Sequence, residues 1–198
     1  MNLALDNLEL PIRIRTERPL TDDEFMEFCA ANELARVERD SNGELIVMMA
    51  GGLEGGSEEL SAGSELRVWA LEDGRGKALG ANSTFHLPDG SLRAADAAWV
   101  SWERWNALTE RQRKRFGPLC PEFVIEVRSE SDRLKPLQAK MKLWIRNGVE
   151  LGWLIDPKRR VVEVYRAGES AEVWEDPTSV QGTGCARGFE LVMGRVWG

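Results

Sequence analysis

Alternating apolar and polar segments predict both helices and strands in this chain of 198 residues. Thr21 and Glu24 stand three positions apart ahead of an apolar stripe, as in a helix capping box, so a helix is expected to run from there to about Asn32. Asn42-Gly43 then lies between residues 36–38 and the apolar residues 45–48, and it predicts a tight hairpin in which both turn residues adopt positive φ. A helix and a hairpin are therefore expected over about residues 20–50.

The middle of the chain predicts a second helix and a second hairpin. The glycine-rich residues 51–56 are expected to form a loop, because they lack the GxxxxGK[ST] pattern of a phosphate-binding loop. A helix is expected over about 57–71, where a buried stripe recurs at helical spacing; it consists of Ala62, Leu66, Trp69 and Ala70. Turn residues 88–91 separate two further apolar segments, 84–87 and 92–100, which predict antiparallel strands.

The second half of the chain predicts a β-α-β unit. Residues 123–127 form a nearly continuous apolar run, which is typical of a strand buried on both faces. A helix is expected from near Pro136 to Asn147-Gly148, followed by a strand over 151–155 and a returning strand over 161–165. These elements together predict an α/β fold of the mixed α+β kind, with a mixed β-sheet flanked by helices.

The composition fits an ordinary globular protein, with 42% hydrophobic and 30% charged residues. One domain over residues 1–198 is expected, because this length suits a single core. No apolar run approaches the roughly 20 residues that a membrane span requires, and the start of the chain lacks a signal-peptide pattern. Three scattered cysteines are too few for a disulfide framework and favour a reducing, cytoplasmic setting.

The histidine count and the net charge restrict the chemistry. With His86 as its single histidine, the chain cannot supply an HExxH zinc site, and a Ser/His/Asp triad would lack a GxSxG motif near that residue. The net charge of −7 argues against a protein that coats nucleic acid. A local basic cluster either contacts phosphates or forms a solvated helix face; it consists of Arg111, Arg113, Lys114 and Arg115.

Glu126 is an anomaly in its apolar strand. Period-two alternation places it on the same face as Arg128, and a carboxylate in such surroundings needs a partner. One reading is an ion pair with Arg128. The other reading is a divalent-metal ligand, because the strand leads into a polar loop, where sites in α/β sheets commonly lie.

Asp96 is a second lone acid in a predicted core strand. Two such acids in two strands are less expected by chance than one. Mg²⁺ takes oxygen ligands, often one or two carboxylates together with water and substrate phosphate. Asp96 and Glu126 are therefore candidate ligands of a cation that activates water and stabilises the leaving oxygen, while a nearby lysine would orient that water or take its proton.

The segments around these acids resemble the Uma-two family of restriction endonuclease-like proteins, which belongs to the PD-(D/E)XK nuclease superfamily. The resemblance covers nearly the whole chain and is strongest between Pro121 and Pro157. It rests on Asp96, residues 121–129 with Glu126, Lys140-Met141, residues 147–149 and residues 153–157.

The resemblance implies a restriction-endonuclease-like core over about 54–165, with Mg²⁺ or Mn²⁺ as its cofactor. Asp96 matches the aspartate of the superfamily motif and Glu126 its second acid, so both are expected to be catalytic metal ligands. Arg128 stands in the lysine position of E-x-K, where a guanidinium cannot act as a base. The resemblance implies that Lys140, on the following helix, supplies the missing lysine.

Three more residues are candidates for the same site. Lys142 flanks the same helix face as Lys140 and is the alternative lysine. Glu54, which precedes the second predicted helix, resembles the additional acid that many such nucleases place there, and Gln138, on the helix of Lys140, could orient water.

Two functions stay open at this point. In the first, the protein is a metal-dependent DNA endonuclease, which could act as a homodimer. In the second, it keeps the fold but not the activity and serves as a module that binds nucleic acid or protein, with Glu126 paired to Arg128.

Overall fold

The computed structural model describes residues 11–33, 35–49 and 52–197. The helices in this part of the chain are α1 Asp22–Ala30, α2 Leu53–Asp73, α3 Trp102–Ala107, α4 Glu110–Arg113 and α5 Leu134–Arg146. The first seven strands are β1 Ile12–Ile14, β2 Ala35–Arg39, β3 Leu45–Met49, β4 Gly76–Gly80, β5 Thr84–His86, β6 Leu92–Ala94 and β7 Ala97–Ser101. The others are β8 Phe123–Val127, β9 Leu151–Asp156, β10 Val161–Arg166, β11 Glu172–Glu175, β12 Ser179–Gln181 and β13 Glu190–Val192.

The strands form two larger sheets and a short ribbon. The first sheet has the order β1-β3-β2-β6-β5, the second has the order β11-β10-β9-β8-β7-β4, and β12 pairs with β13. Strands β8 and β9 run parallel through the crossover helix α5, whereas their neighbours β7 and β10 are antiparallel to them. The predicted β-α-β unit and returning strand are confirmed, and the fold is a mixed α+β arrangement with helices flanking the sheets.

The central strands of the second sheet, β8, β9 and β10, are buried on both faces. Phe123, Ile125 and Val127 of β8 point into a cluster formed with α2 and the C-terminal segment, whereas Val124 points into a cluster with α5, where it meets Trp144. This alternation follows from the period of two along a strand. It places Glu126 on the α5 face, two positions after Val124.

Helix α1 begins as its sequence predicts. The hydroxyl of Thr21 accepts a hydrogen bond from the backbone N–H of Glu24, and the Glu24 carboxylate accepts one from the backbone N–H of Thr21, so the capping box is complete. The helix packs Phe25 and Phe28 against the first sheet, where they share a small core with Leu45.

The first hairpin is confirmed, but its turn differs from the predicted one. Gly43 has a φ of 85°, whereas Asn42 is not in the positive-φ region. The backbone N–H of Gly43 donates to the carbonyl of Asp40, and the Asp40 side chain accepts from the backbone N–H groups of Asn42 and Glu44. The aspartate thus stabilises a longer turn, in which only the glycine needs the left-handed conformation.

Helix α2 begins earlier than predicted. Residues 53–56 belong to its first turn, although the glycines in this stretch favoured a loop. Ala62, Leu66 and Ala70 are buried as expected, with Trp69 partly buried beside them, and Gly74 ends the helix at a φ of 71°. Packing of this long apolar stripe on the second sheet outweighs the low helix propensity of the glycines.

The predicted strand over 92–100 is two strands of different sheets. Strand β6 belongs to the first sheet and β7 to the second, and the chain passes between them at Ala95-Asp96. Asp96 is therefore not within a strand. It lies at the junction of the two sheets, which the apolar residues on both sides of it did not reveal.

No helix in residues 11–33, 35–49 and 52–197 is both long enough and apolar enough to cross a membrane.

Close packing at the edge of the second sheet gives a test of the fold. A Cβ atom added to Gly76 would overlap the main-chain oxygen of Val100 and lie 2.5 Å from atoms of the Trp99 indole, whereas one added to Gly80, on the same strand, would meet nothing within 4 Å. We expect Gly76→Ala to lower the free energy of unfolding by about 1–3 kcal/mol. Gly80→Ala should change it by less than about 0.5 kcal/mol. Urea unfolding measures both, and equal effects would contradict the packing of β4 on β7.

Candidate active site

Asp96 lies beside the end of β8. Its Oδ2 accepts a hydrogen bond of 2.7 Å from the backbone N–H of Val127, the residue directly after Glu126. Its Oδ1 accepts one of 3.1 Å from Nη2 of Arg36, on β2. The junction between β6 and β7 thus brings the Asp96 carboxylate to the strand that carries the second acid.

The Glu126 carboxylate is buried beneath α5, and the residue is 2% exposed. Its two oxygens lie 3.0 and 3.1 Å from Nζ of Lys140, and Oε1 also accepts a hydrogen bond of 2.8 Å from Nε1 of Trp144. Lys140 and Trp144 are four positions apart on α5, so both side chains reach the same carboxylate from one helix face.

Lys140 has two acceptors besides Glu126. Its Nζ lies 2.9 Å from Oε1 of Glu38 and donates a hydrogen bond of 2.7 Å to the carbonyl of Ala94. The Glu38 carboxylate in turn accepts a hydrogen bond of 2.7 Å from Arg93, and both side chains are less than one tenth exposed. The lysine therefore joins β2 of the first sheet to β8 of the second.

Arg36 extends the network toward α2. Besides Asp96, its guanidinium contacts Oε2 of Glu59 at 3.4 Å, and Glu59 lies in the second turn of α2. Arg36 and Glu38 occupy alternate positions of β2, so both point to the site from the same face of that strand.

The protonation of the buried groups follows from this geometry. Burial raises the pKa of Glu126 to about 8; the Lys140 ammonium opposes this shift, while Asp96 and Glu38 add to it. Burial alone would lower the pKa of Lys140, but the carboxylates of Glu126, Glu38 and Asp96 outweigh it and raise that pKa. Burial also opposes ionisation of Glu38, yet Lys140 and Arg93 bring its pKa below the ordinary carboxyl value. Lys140 therefore stays charged and can donate hydrogen bonds but cannot take up a proton.

The structure brings together three of the sequence-predicted residues, namely Asp96, Glu126 and Lys140. It does not form the alternative ion pair between Glu126 and Arg128. Arg128 instead makes a salt bridge of 2.7 Å with Asp156, and its Nε donates to the carbonyl of Asp132. The side chain in the lysine position of the motif thus fixes the end of β9 and the loop after β8.

The other predicted residues lie elsewhere. Gln138 donates to Glu163, 2.8 Å away, which in turn accepts from the Tyr165 hydroxyl. Lys142 is exposed on α5. Glu54 lines a neighbouring cleft of ≈ 500 Å³ beside Arg128 and Lys158, whereas Glu59 is the acid of α2 that approaches Asp96.

Three residues of the basic cluster, which the sequence left as either a phosphate contact or a solvated helix face, make contacts within the protein. Arg113 donates to the carbonyl of Leu108, Lys114 pairs with Glu110 four positions earlier, and Arg115 pairs with Asp23 of α1. Three charged residues of the first sheet belong to the site but were not predicted from the sequence, namely Arg36, Glu38 and Arg93. The alternation of charge around Val37 in β2 was the available signal.

The donors at this site suit a Mg²⁺-type cation with few protein ligands. Within the described ranges, no group of three or more His, Cys, Asp or Glu side chains could hold a metal ion. Mg²⁺ commonly takes one or two carboxylates and fills its remaining positions with water and phosphate. Asp96 and Glu126 provide such a pair, so the residues fit a hydrated Mg²⁺ or Mn²⁺ but not a site built wholly of protein ligands.

Comparisons with known proteins agree with this fold. The model of the Uma2 family, described as "Putative restriction endonuclease", matches residues 22–194. A solved structure described as a putative nuclease belonging to DUF820, from Anabaena variabilis ATCC 29413, superposes with a TM-score of 0.72 at 20% sequence identity. That match covers 90% of this chain and 98% of the other. A search of curated proteins gives no match.

The raised pKa of Glu126 predicts a pH-dependent effect of Glu126→Gln. A folded-state pKa of about 8 lies above the ordinary carboxyl value of 4.5, so the fold favours the protonated acid. The protonated Glu126 carboxyl therefore stabilises the folded state fully below about pH 4.5, and this stabilisation is lost as the pH rises through about 8. With a metal chelator present, the free energy of unfolding of Glu126→Gln relative to that of the wild type should therefore rise between about pH 5.5 and 8.5, by on the order of 2 kcal/mol.

Glu38→Gln is the matched control, because Glu38 contacts the same lysine but has a lowered pKa. Its contribution to stability is lost only as the pH falls through the acid range, so its effect should be constant over this window. Thermal unfolding of both variants across the window measures the difference. If the melting temperatures of the two variants changed with pH in the same way, ionised Glu126 would not destabilise the fold as proposed.

Proposed function

Because the chain belongs to the Uma2 family of "putative restriction endonucleases", we propose that it is a divalent-metal-dependent endonuclease that hydrolyses phosphodiester bonds of DNA. One observation carries this proposal. Asp96 and Glu126, thirty positions apart in the chain, meet at the junction of the two sheets with the Lys140 ammonium in contact with Glu126. A pair of acids beside a buried lysine suits phosphodiester hydrolysis with a bound metal, because the acids can hold the cation and the ammonium can stabilise charge on the phosphate.

The charges of the site support a cationic ligand. In the described part of the chain, the network contains four carboxylates, Glu38, Glu59, Asp96 and Glu126, and three cations, Arg36, Arg93 and Lys140. When all are ionised, one negative charge remains. A divalent cation together with one phosphodiester group would neutralise it.

Each residue of the chain has a distinct part in the proposed reaction. Asp96 and Glu126 would hold Mg²⁺ or Mn²⁺, which when bound polarises the phosphate and lowers the pKa of water. Lys140 stays charged, so it orients the attacking water and stabilises the charge that develops on the phosphate, and it does not act as the general base. Trp144 fixes the Glu126 carboxylate through its indole N–H, and Glu38 fixes the lysine.

A second function is a binding module without catalysis. The observation that favours it is that both acids already have cationic partners within the protein, Arg36 on Asp96 and Lys140 on Glu126. A closed network of this kind needs no metal to be stable. The two functions differ in whether a metal displaces these contacts.

The test of the proposal is to titrate Mn²⁺ calorimetrically and to assay plasmid nicking. We expect the wild-type protein to bind Mn²⁺ and to nick DNA. Asp96→Asn should abolish both, since the amide still accepts the Val127 N–H but carries no charge for the metal. Lys140→Gln should retain Mn²⁺ binding while nicking falls by about 10² or more.

Glu163→Gln is the matched control, because Glu163 is a buried carboxylate of the same sheet that is held by Gln138 and Tyr165 instead of by a cation. It should leave Mn²⁺ binding and nicking unchanged. A wild-type protein that binds no Mn²⁺ would favour the second function.

A further inference from the structure

Arg36 lies between two carboxylates at the most accessible side of the site. Its Nη2 lies 3.1 Å from Oδ1 of Asp96, and its Nη1 lies 3.4 Å from Oε2 of Glu59. The side chains of Arg36 and Glu59 are 35% and 30% exposed, whereas that of Asp96 is 11% exposed. Arg36 is therefore the cation of the site that lies between the buried Asp96 carboxylate and solvent.

The two oxygens of Asp96 are not equivalent. Oδ2 accepts the backbone N–H of Val127 at 2.7 Å, so it is committed to the junction of the sheets. Oδ1 accepts from Arg36 alone among the described contacts. A metal ion that binds Asp96 without disturbing the junction must use Oδ1, which is the atom that the guanidinium contacts.

Arg36 is held less firmly than the other cation of the site. Lys140 is 16% exposed and contacts two carboxylates and a backbone carbonyl, so displacing it would leave several buried acceptors unsatisfied. Arg36 would lose one contact on leaving Asp96, and it would keep Glu59, which lies on the neighbouring helix α2. Of the two, Arg36 is the cation that a metal can replace at lower cost.

We propose that Arg36 is the internal counter-cation of the metal-free site. It competes with the divalent metal for Oδ1 of Asp96, and Glu59 retains the guanidinium when the metal displaces it. This inference rests on the proposed function, because it presupposes that a metal binds Asp96. It assigns Arg36 a positioning role that sets the metal affinity and keeps Asp96 paired before the metal arrives.

The first experiment measures Mn²⁺ affinity after chelator treatment. Removing a competing cation should strengthen binding, so Arg36→Gln should lower the Kd for Mn²⁺ by about tenfold or more. In the presence of a metal chelator, the same variant should melt at a lower temperature than the wild type, because Asp96 then loses the guanidinium that pairs with its carboxylate. A purely structural role predicts weaker metal binding instead.

Arg128→Gln is the matched control for a general change in charge. Arg128 lies two residues after Glu126 but pairs with Asp156, so its loss removes a nearby positive charge without releasing Asp96. It should change the Kd for Mn²⁺ by less than about threefold. An equal increase in Mn²⁺ affinity in both variants would contradict the proposed competition between Arg36 and the metal.

A double-mutant cycle tests the part of Glu59. If Glu59 acts by retaining the displaced guanidinium, Glu59→Gln should weaken Mn²⁺ binding in the wild-type background and have no effect when combined with Arg36→Gln. An equal loss in both backgrounds would show that Glu59 acts on the metal directly and would overturn its proposed role.

The outcomes separate this inference from the proposed function. Mn²⁺ binding that is unchanged or weaker in Arg36→Gln would overturn the role of Arg36 and leave the metal site standing. No binding by the wild type and by Arg36→Gln would overturn both. Should Arg36→Gln fail to fold, Arg36→Lys replaces it, because one ammonium cannot supply the two separate nitrogens that contact Asp96 and Glu59, and Mn²⁺ binding should again be tighter.

Discussion

The contact between Lys140 and Glu126 is the interaction on which the rest of the site depends. A carboxylate that is 2% exposed in the middle of an apolar sheet is unfavourable unless it is paired, and the ammonium provides both charge and hydrogen bonds. The same ammonium contacts Glu38 of the first sheet. The Lys140 side chain therefore pairs with one acid from each sheet. This is possible only because the parts of the two sheets that carry Glu38 and Glu126 lie next to each other.

Much of the fold could be predicted from local patterns. The capping box at Thr21, the apolar run of β8 and the helix that follows it each have a strong local cause, and the structure contains all three. The predictions failed where two local signals conflict. The glycines at the start of α2 favoured a loop, although packing extends the helix through them. The apolar residues on both sides of Asp96 favoured one continuous strand, although the chain changes sheet there.

The candidate site was predictable only in part. Lone acids in apolar segments mark Asp96 and Glu126 because burial of a charge is costly wherever the chain folds. The choice of their partners is a matter of tertiary geometry. Period-two alternation along the strand favoured Arg128 as the partner of Glu126. The Arg128 side chain instead pairs with Asp156, and the cations that contact the two acids come from α5 and from β2. Arg36 and Glu38 are sixty and eighty-eight positions from Asp96 and Glu126, respectively, so no local pattern could connect them.

The change of sheet at Ala95-Asp96 also has a dynamic consequence. The covalent chain passes from one sheet to the other at the residue that ties them together, so a partial opening that releases the first sheet would remove Asp96, Arg36 and Glu38 from the centre at once. Glu126 and Lys140 would remain on an intact β-α-β unit, as one half of a disassembled centre. The assembled centre therefore exists only while the sheets are docked, and amide hydrogen exchange in the first sheet reports the free energy at which it comes apart.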